Sequence, residues 1–196
     1  MKKSTLIIFI CLAVIGLLCV WGVNLYNAMV TGEENIENAW GKVESQYQRR
    51  ADLIPNLVAT VKGYAAHESE TLEAVMEARA KATSVTISAD NMTEAQMRSF
   101  QEAQGNLTTA LGRLIAVSEA YPDLKANTNF LELQSQLEGT ENRITVARNA
   151  FNDAVRDYNT FIRRFPRNII AGMFGFEKKP YFEAENGAEK APKVEF

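Results

Sequence analysis

The sequence predicts an all-α fold: a single N-terminal transmembrane helix followed by an antiparallel up-down four-helix bundle with two long and two shorter helices. Three observations predict it. Residues 5–23 form an apolar run without a charge, directly behind Lys2 and Lys3. Beyond that run, apolar residues recur at seven-residue spacing over long stretches, and period-two alternation, the mark of half-buried strands, is absent. Between Asn24 and Phe165 the only prolines are Pro55 and Pro122, so little interrupts helix. The chain divides into an anchor (1–25), a bundle (26–166), an aromatic membrane-proximal segment (167–182) and a tail without stable structure (183–196).

The apolar run comes first. At ~1.5 Å rise per residue it reaches the ~30 Å thickness of bilayer hydrocarbon. Leu6, Ile10, Val14 and Leu18 mark its lipid-facing length, and Trp21 and Tyr26 suit the membrane–water boundary. A cleaved secretory signal needs small residues before the cut, but Leu18, Cys19, Val20 and Trp21 stand there. A lipidated cysteine needs a small residue before it, but Ile10 precedes Cys11 and Leu18 precedes Cys19. An uncleaved anchor is therefore expected. Lys2 and Lys3 precede the span and only Lys42 follows within reach, a bias that puts the N-terminus in the cytoplasm and the large domain outside.

The first long helix rises from the span, with Gly32 as its expected flexible point. Trp40, Tyr47, Ile54 and Val61 form one heptad series, and Ile36, Val43, Arg50, Leu57 and Tyr64 the other. Pro55 lacks a donor and clashes with the preceding turn, which predicts a kink. A short helix over His67–Ser84 turns Leu72, Val75 and Met76 inward, and Ser84–Asn91 connects it to the next. Thr93 with Gln96 reads as a capping box, followed by Met97, Phe100, Leu107, Leu111, Leu114 and Tyr121. Pro122 stops that helix, and one of Asn127 to Asn129 caps the last. The last helix is the clearest, with Phe130, Leu137, Ile144, Phe151, Tyr158 and Phe165 seven apart, and Leu133, Thr140, Ala147, Ala154 and Phe161 in the second seam.

In an up-down arrangement the last helix returns to the membrane. It delivers Phe161, Ile162, Phe165, Ile169, Ile170, Met173, Phe174 and Phe176, interleaved with Arg163, Arg164 and Arg167. This segment is too short and too charged to span. Two readings stay open: apolar groups dip into the headgroup region while the arginines meet lipid phosphate, or Phe161 and Phe165 close the core and the rest packs over its end. After Phe176 the apolar content falls, and the tail is expected to lack stable structure.

Charge and composition narrow the function. The net charge is −3, from 21 Lys and Arg against 24 Asp and Glu in 196 residues, with both signs interspersed, so no nucleic-acid partner is expected. Cys11 and Cys19 both lie in the span, leaving the rest without disulfide or thiol chemistry. A di-iron bundle needs paired Glu-x-x-His motifs, but His67 is the only histidine and Tyr64 stands where the glutamate would be. The zinc-protease pattern fails for want of a second histidine. No nucleophile elbow or phosphate-binding glycine loop appears. The expectation is a protein without catalytic residues, metal or cofactor.

Several strings carry a resemblance. Asn38-Ala39-Trp40, Arg49-Arg50-Ala51-Asp52-Leu53-Ile54-Pro55-Asn56-Leu57-Val58 and Val61-Lys62-Gly63-Tyr64 resemble the signature of the LemA family. So do Glu119-Ala120-Tyr121-Pro122-Asp123-Leu124-Lys125-Ala126-Asn127, Glu141-Asn142-Arg143-Ile144 and Arg148-Asn149-Ala150-Phe151-Asn152. The resemblance runs from the anchor to Phe182; Ala51 and Phe151 stand where the family pattern has tyrosine. It implies a bacterial plasma-membrane protein with one N-terminal span, a four-helix bundle and no established activity. The usual family description puts the bundle in the cytoplasm, against the lysine bias.

Polar residues in or beside the seams complete the candidates. Arg50 occupies an inward series beside Asp52, and Glu119, Glu141, Asn142, Asn149, Asn152 and Asn159 lie on the other long helices. Arg50 either pairs with Glu119 or Glu141 across the bundle and fixes register, or snorkels to solvent. Two functions remain: a non-enzymatic membrane-anchored scaffold or adaptor, contacting partners through the basic aromatic segment and, if it is edge-exposed, Trp40, or a ligand-binding sensor that signals through a partner. A third, lipid remodelling, uses the same residues. The expected partners are membrane lipids, an unidentified protein and further copies of the chain.

Overall fold

The structure, a computed structural model, describes residues 3–89 and 91–183; most of the expected unstructured tail, from residue 184 on, lies outside them. Every regular element among the described residues is helical: α1 (Lys3–Tyr64), α2 (Ser69–Ser84), α3 (Glu94–Val117) with a 3-10 turn at Ser118–Ala120, α4 (Pro122–Lys125), α5 (Thr128–Arg163) and α6 (Arg167–Phe174).

The apolar run and the helix beyond it are joined without a break, because α1 runs 62 residues, or ~90 Å. Its first section is long and apolar enough to cross a membrane and packs against nothing. Gly32 is not a flexible point: it sits inside the helix, where a Cβ would come 2.8 Å from the Tyr158 ring. Its missing side chain is what lets α5 approach. Pro55 also lies within α1, where the missing N–H frees the carbonyl of Ala51. Arg79 of α2 donates its Nε–H to that carbonyl at 2.8 Å, so the bond α1 loses is replaced from its neighbour.

α1 and α5 pack antiparallel along most of α5. Tyr64 meets Asn127, Arg50 meets Glu141, Trp40 meets Phe151 and Glu33 meets Tyr158, one number falling as the other rises. α2 and α3 run antiparallel across them, Gln104 donating to the Ala82 carbonyl at one end and Tyr121 to Glu68 at the other. The caps follow local chemistry: Thr93 and Gln96 form a reciprocal box, and the Asn127 side chain accepts from the Phe130 N–H.

The interior is split in two. Distal from the span, Ile54, Leu57, Val61, Leu72, Leu107, Leu114, Phe130 and Leu137 form an aliphatic cluster. Nearer the span, Trp40, Tyr47, Phe100, Phe151, Tyr158 and Phe182 form an aromatic one. Here α2 has ended and α3 contributes only its first turns, with Met97 and Phe100 buried; other chain fills the rest, the connector 85–93 with Ile87 and Met92 buried and the C-terminal stretch with Phe182 buried. Trp40 bonds the connector directly, Nε1–H to the Ile87 carbonyl at 3.2 Å.

Several expectations need correction. Helix α2 begins at Ser69, leaving His67 in the preceding turn. Met76 and Tyr64 are exposed, Met76 because Leu72 and Val75 already fill the face and Tyr64 because α1 ends there. Phe165 is 81% exposed: α5 stops at Arg163, so the heptad register no longer holds two residues later. Trp40 is buried and offers no surface to a partner. The stretch after Phe176 is not loose: residues 177–183 lie extended in a groove between α3 and α5.

Candidate functional site

Two sites are built by this arrangement: a foot beside the end of the apolar run and a polar layer between the two apolar clusters. At the foot, α6 folds back against α1 just past the apolar run. Tyr26, three residues beyond Val23, takes Phe174 edge-on at 5.1 Å and Phe176 at 5.5 Å between ring centroids. Gly175, at φ 77°, makes the left-handed turn between those two rings. The outward side of this foot is apolar: Phe165, Ile169, Met173 and Phe174 are all exposed, Met173 at 75%. Ile170 and Phe176 are half-buried against the aromatic cluster. Among the arginines, Arg163 and Arg164 are exposed, while Arg167 lies 4.1 Å over the half-buried Phe161 ring. Leu6, Ile10, Val14, Leu18, Trp21 and Tyr26, the residues expected in an anchor, are exposed along α1.

The polar layer centres on Arg50, 2% exposed. Its Nη1 donates to Glu141 Oε2 at 2.9 Å and Thr108 Oγ1 at 3.0 Å, and its Nη2 to Gln104 Oε1 at 2.6 Å. The guanidinium also lies 5.1 Å from the Tyr47 ring centroid, and Nε has no hydrogen-bond partner. Gln104 spends its own donor on the Ala82 carbonyl, so the layer ties α1, α2, α3 and α5 at one height. Glu119 takes no part, because it lies beside the α3–α4 turn and binds Lys125 at 2.6 Å. Asp52 faces outward and accepts from Gln48.

A second polar group sits at the base, where Tyr158 donates to Glu33 Oε1 at 3.1 Å and Lys179 pairs with Glu33 at 3.2 Å. Burial, then the Glu33 carboxylate, raises the Tyr158 phenol well above its ordinary 10.0. A raised native value means the unfolded chain ionises first. The stability Tyr158 contributes is complete below about pH 10 and is lost as pH rises above it toward the native value. In urea denaturation at pH 9 and pH 11, Tyr158→Phe should therefore lose less stability between the two than the parent chain; an equal loss would refute this. Among the described residues no three His, Cys, Asp or Glu side chains cluster as metal ligands do.

The LemA family model matches residues 39–196, from the aromatic cluster through the polar layer to the foot. The chain belongs to the LemA family. Similar proteins include magnetosome protein MamQ 2 of Paramagnetospirillum magneticum, 27% identical over 81% of this chain and 64% of the relative. Magnetosome protein MamQ of Magnetospirillum gryphiswaldense is 28% identical over 80% of this chain and 64% of its own length. The chain thus spans less than two thirds of these relatives. Protein LemA of Metamycoplasma hominis is 24% identical over 93% of this chain and 80% of the relative.

The LemA-type strings fall at the contacts that join helices. Ala51 offers its carbonyl to Arg79, and Phe151, at a position expected to be tyrosine, is fully buried 5.5 Å from Trp40. The Asn127 side chain both caps α5 and donates to the Tyr64 hydroxyl. Sequence reasoning missed Gln104 and Thr108, which look like ordinary helix-surface residues until α3 is placed in register with Arg50. It named Asn152 and Asn159 without a role; both bind the C-terminal stretch.

Proposed function

We propose that this LemA-family chain is a membrane-anchored scaffold. The start of α1 spans the bilayer, α1, α2, α3 and α5 form a four-helix bundle above it, and the bundle holds other proteins or further copies at a fixed height. The observation that carries the reading is the foot. Tyr26, Phe174 and Phe176 bring α6 to within about one helical turn (~5 Å) of the end of the apolar run, with Phe165, Ile169, Met173 and Phe174 facing outward. Such a surface suits the headgroup region, giving the chain a second hold on the bilayer. Arg163 and Arg164 are exposed beside it and suit the anionic cytoplasmic leaflet. This favours the cytoplasmic side for the bundle, against the bias of Lys2 and Lys3.

The test uses the full chain with Cys11 and Cys19 replaced by serine. An environment-sensitive fluorophore on Met173→Cys should emit as in an apolar medium in vesicles containing anionic lipid and be quenched by lipids brominated near the headgroup. Water-like, unquenched emission would remove the foot from the membrane. Native size in mild detergent tests the scaffold: a discrete multi-copy or hetero-complex supports it. A lone chain whose melting point shifts with a small ligand would favour a sensor instead.

A further inference from the structure

The C-terminal stretch after α6 is bound as a foreign peptide would be. Three amide side chains each pair with both backbone groups of one residue. Asn159 donates to the Lys179 carbonyl at 2.9 Å and accepts its N–H at 3.0 Å. Asn152 does the same for Phe182, at 3.2 and 2.9 Å. Gln101 of α3 brackets Glu183 at 3.0 and 3.4 Å. These bonds read extended backbone, as strand addition does. The spacing explains why α5 can offer them: seven residues of helix cover ~10.5 Å and three of extended chain ~10 Å, so Asn159 and Asn152 fall opposite residues 179 and 182.

Selectivity comes from one side chain. Phe182 enters a box made by Trp40 at 5.9 Å, Phe151 at 5.4 Å and Phe100 at 6.4 Å, with the Arg148 guanidinium 4.9 Å over its ring. The stretch follows Phe176, which rests on Tyr26 and donates its N–H to the Ala171 carbonyl, and residues 177–183 themselves contribute to no helical hydrogen-bond ladder. Between it and α3 a cleft of ≈ 390 Å³ stays open beside Met97, Arg98 and Tyr181.

We propose that this groove accepts residues 177–183 of a second copy, so that neighbouring chains pair by exchanging their C-terminal stretches. The inference rests on the scaffold reading and supplies its self-contact. Identical chains rooted in one bilayer by the unbroken α1 carry groove and stretch at the same height. Mutual exchange between two such copies is a closed, two-fold arrangement.

The test mixes two differently tagged full-length variants in detergent. Phe182→Ala keeps the groove and loses the plug; Asn152→Ala with Asn159→Ala keeps the plug and loses the groove. Alone, neither should pair. Mixed, they should co-purify at more than about tenfold over either variant alone, since one sound groove meets one sound plug. No gain on mixing overturns the exchange. Pairing of Phe182→Ala with itself at the parent level also overturns it while leaving self-assembly standing; a parent chain that stays single in detergent and vesicles removes both. Should Phe182→Ala lose its helical circular dichroism, Phe182→Leu replaces it. A synthetic peptide of residues 176–183 added to the plug-deficient variant, in a Trp21→Phe background, gives an independent readout. The peptide should shift Trp40 emission saturably and the same peptide with Phe182→Ala should not; no shift overturns the proposal.

Discussion

Replacing Trp40 by alanine should lower the unfolding free energy by about 4 kcal/mol, at the upper end for a large core aromatic. The indole is 3% exposed and lies within ring contact of Phe100, Phe151 and Phe182. It also supplies the donor that fixes Ile87, so truncation leaves both a cavity and an unpaired carbonyl. Because connector, α3, α5 and the C-terminal stretch all converge on this ring, no single neighbour can collapse into the space. Urea denaturation of the full chain in detergent, followed by far-ultraviolet circular dichroism, measures the loss. A value below about 1 kcal/mol would mean that the aromatic cluster is not the membrane-proximal core.

Arg50→Ala should cost about 3 kcal/mol, because it opens a cavity and leaves Gln104 Oε1 without its donor. Arg50→Met, which keeps most of the volume and removes the charge, should cost about 1 kcal/mol. Glu141→Gln should cost less than about 1 kcal/mol, since the Glu141 side chain is 47% exposed and water screens its half of the pair. The same denaturation series separates these. A methionine variant as stable as the parent would count against an obligatory ion pair. An alanine variant equally unaffected would show that Arg50 is not part of the packed interior.

The long elements were legible because they repeat. Seven-residue spacing identified the buried faces of α1 and α5 nearly residue by residue, and short-range chemistry identified the Thr93 box. Reading failed where the contact is long-range or the repeat stops. Phe165 continues the heptad arithmetic but not the helix. Gly32 carries no mark that distinguishes a joint from a place where another helix presses close. Residues 177–183 have too little apolar character to suggest order, because backbone bonds to Asn152, Asn159 and Gln101 hold them together with the single Phe182 ring. Arg50 announced itself as a charge in a seam, whereas Gln104 and Thr108 acquire meaning only from the register of α3.

The continuity of α1 has a mechanical consequence. Some 38 residues, from Tyr26 to Tyr64, stand beyond the apolar run as one continuous helix about 57 Å long. Spans adjust their tilt when bilayer thickness changes, and a swing of about 10° at the base would carry the distal tip sideways by about 10 Å. With the start of α1 spanning the bilayer as proposed, lipid thickness would be converted into lateral displacement at the far end of the molecule, without a break in α1.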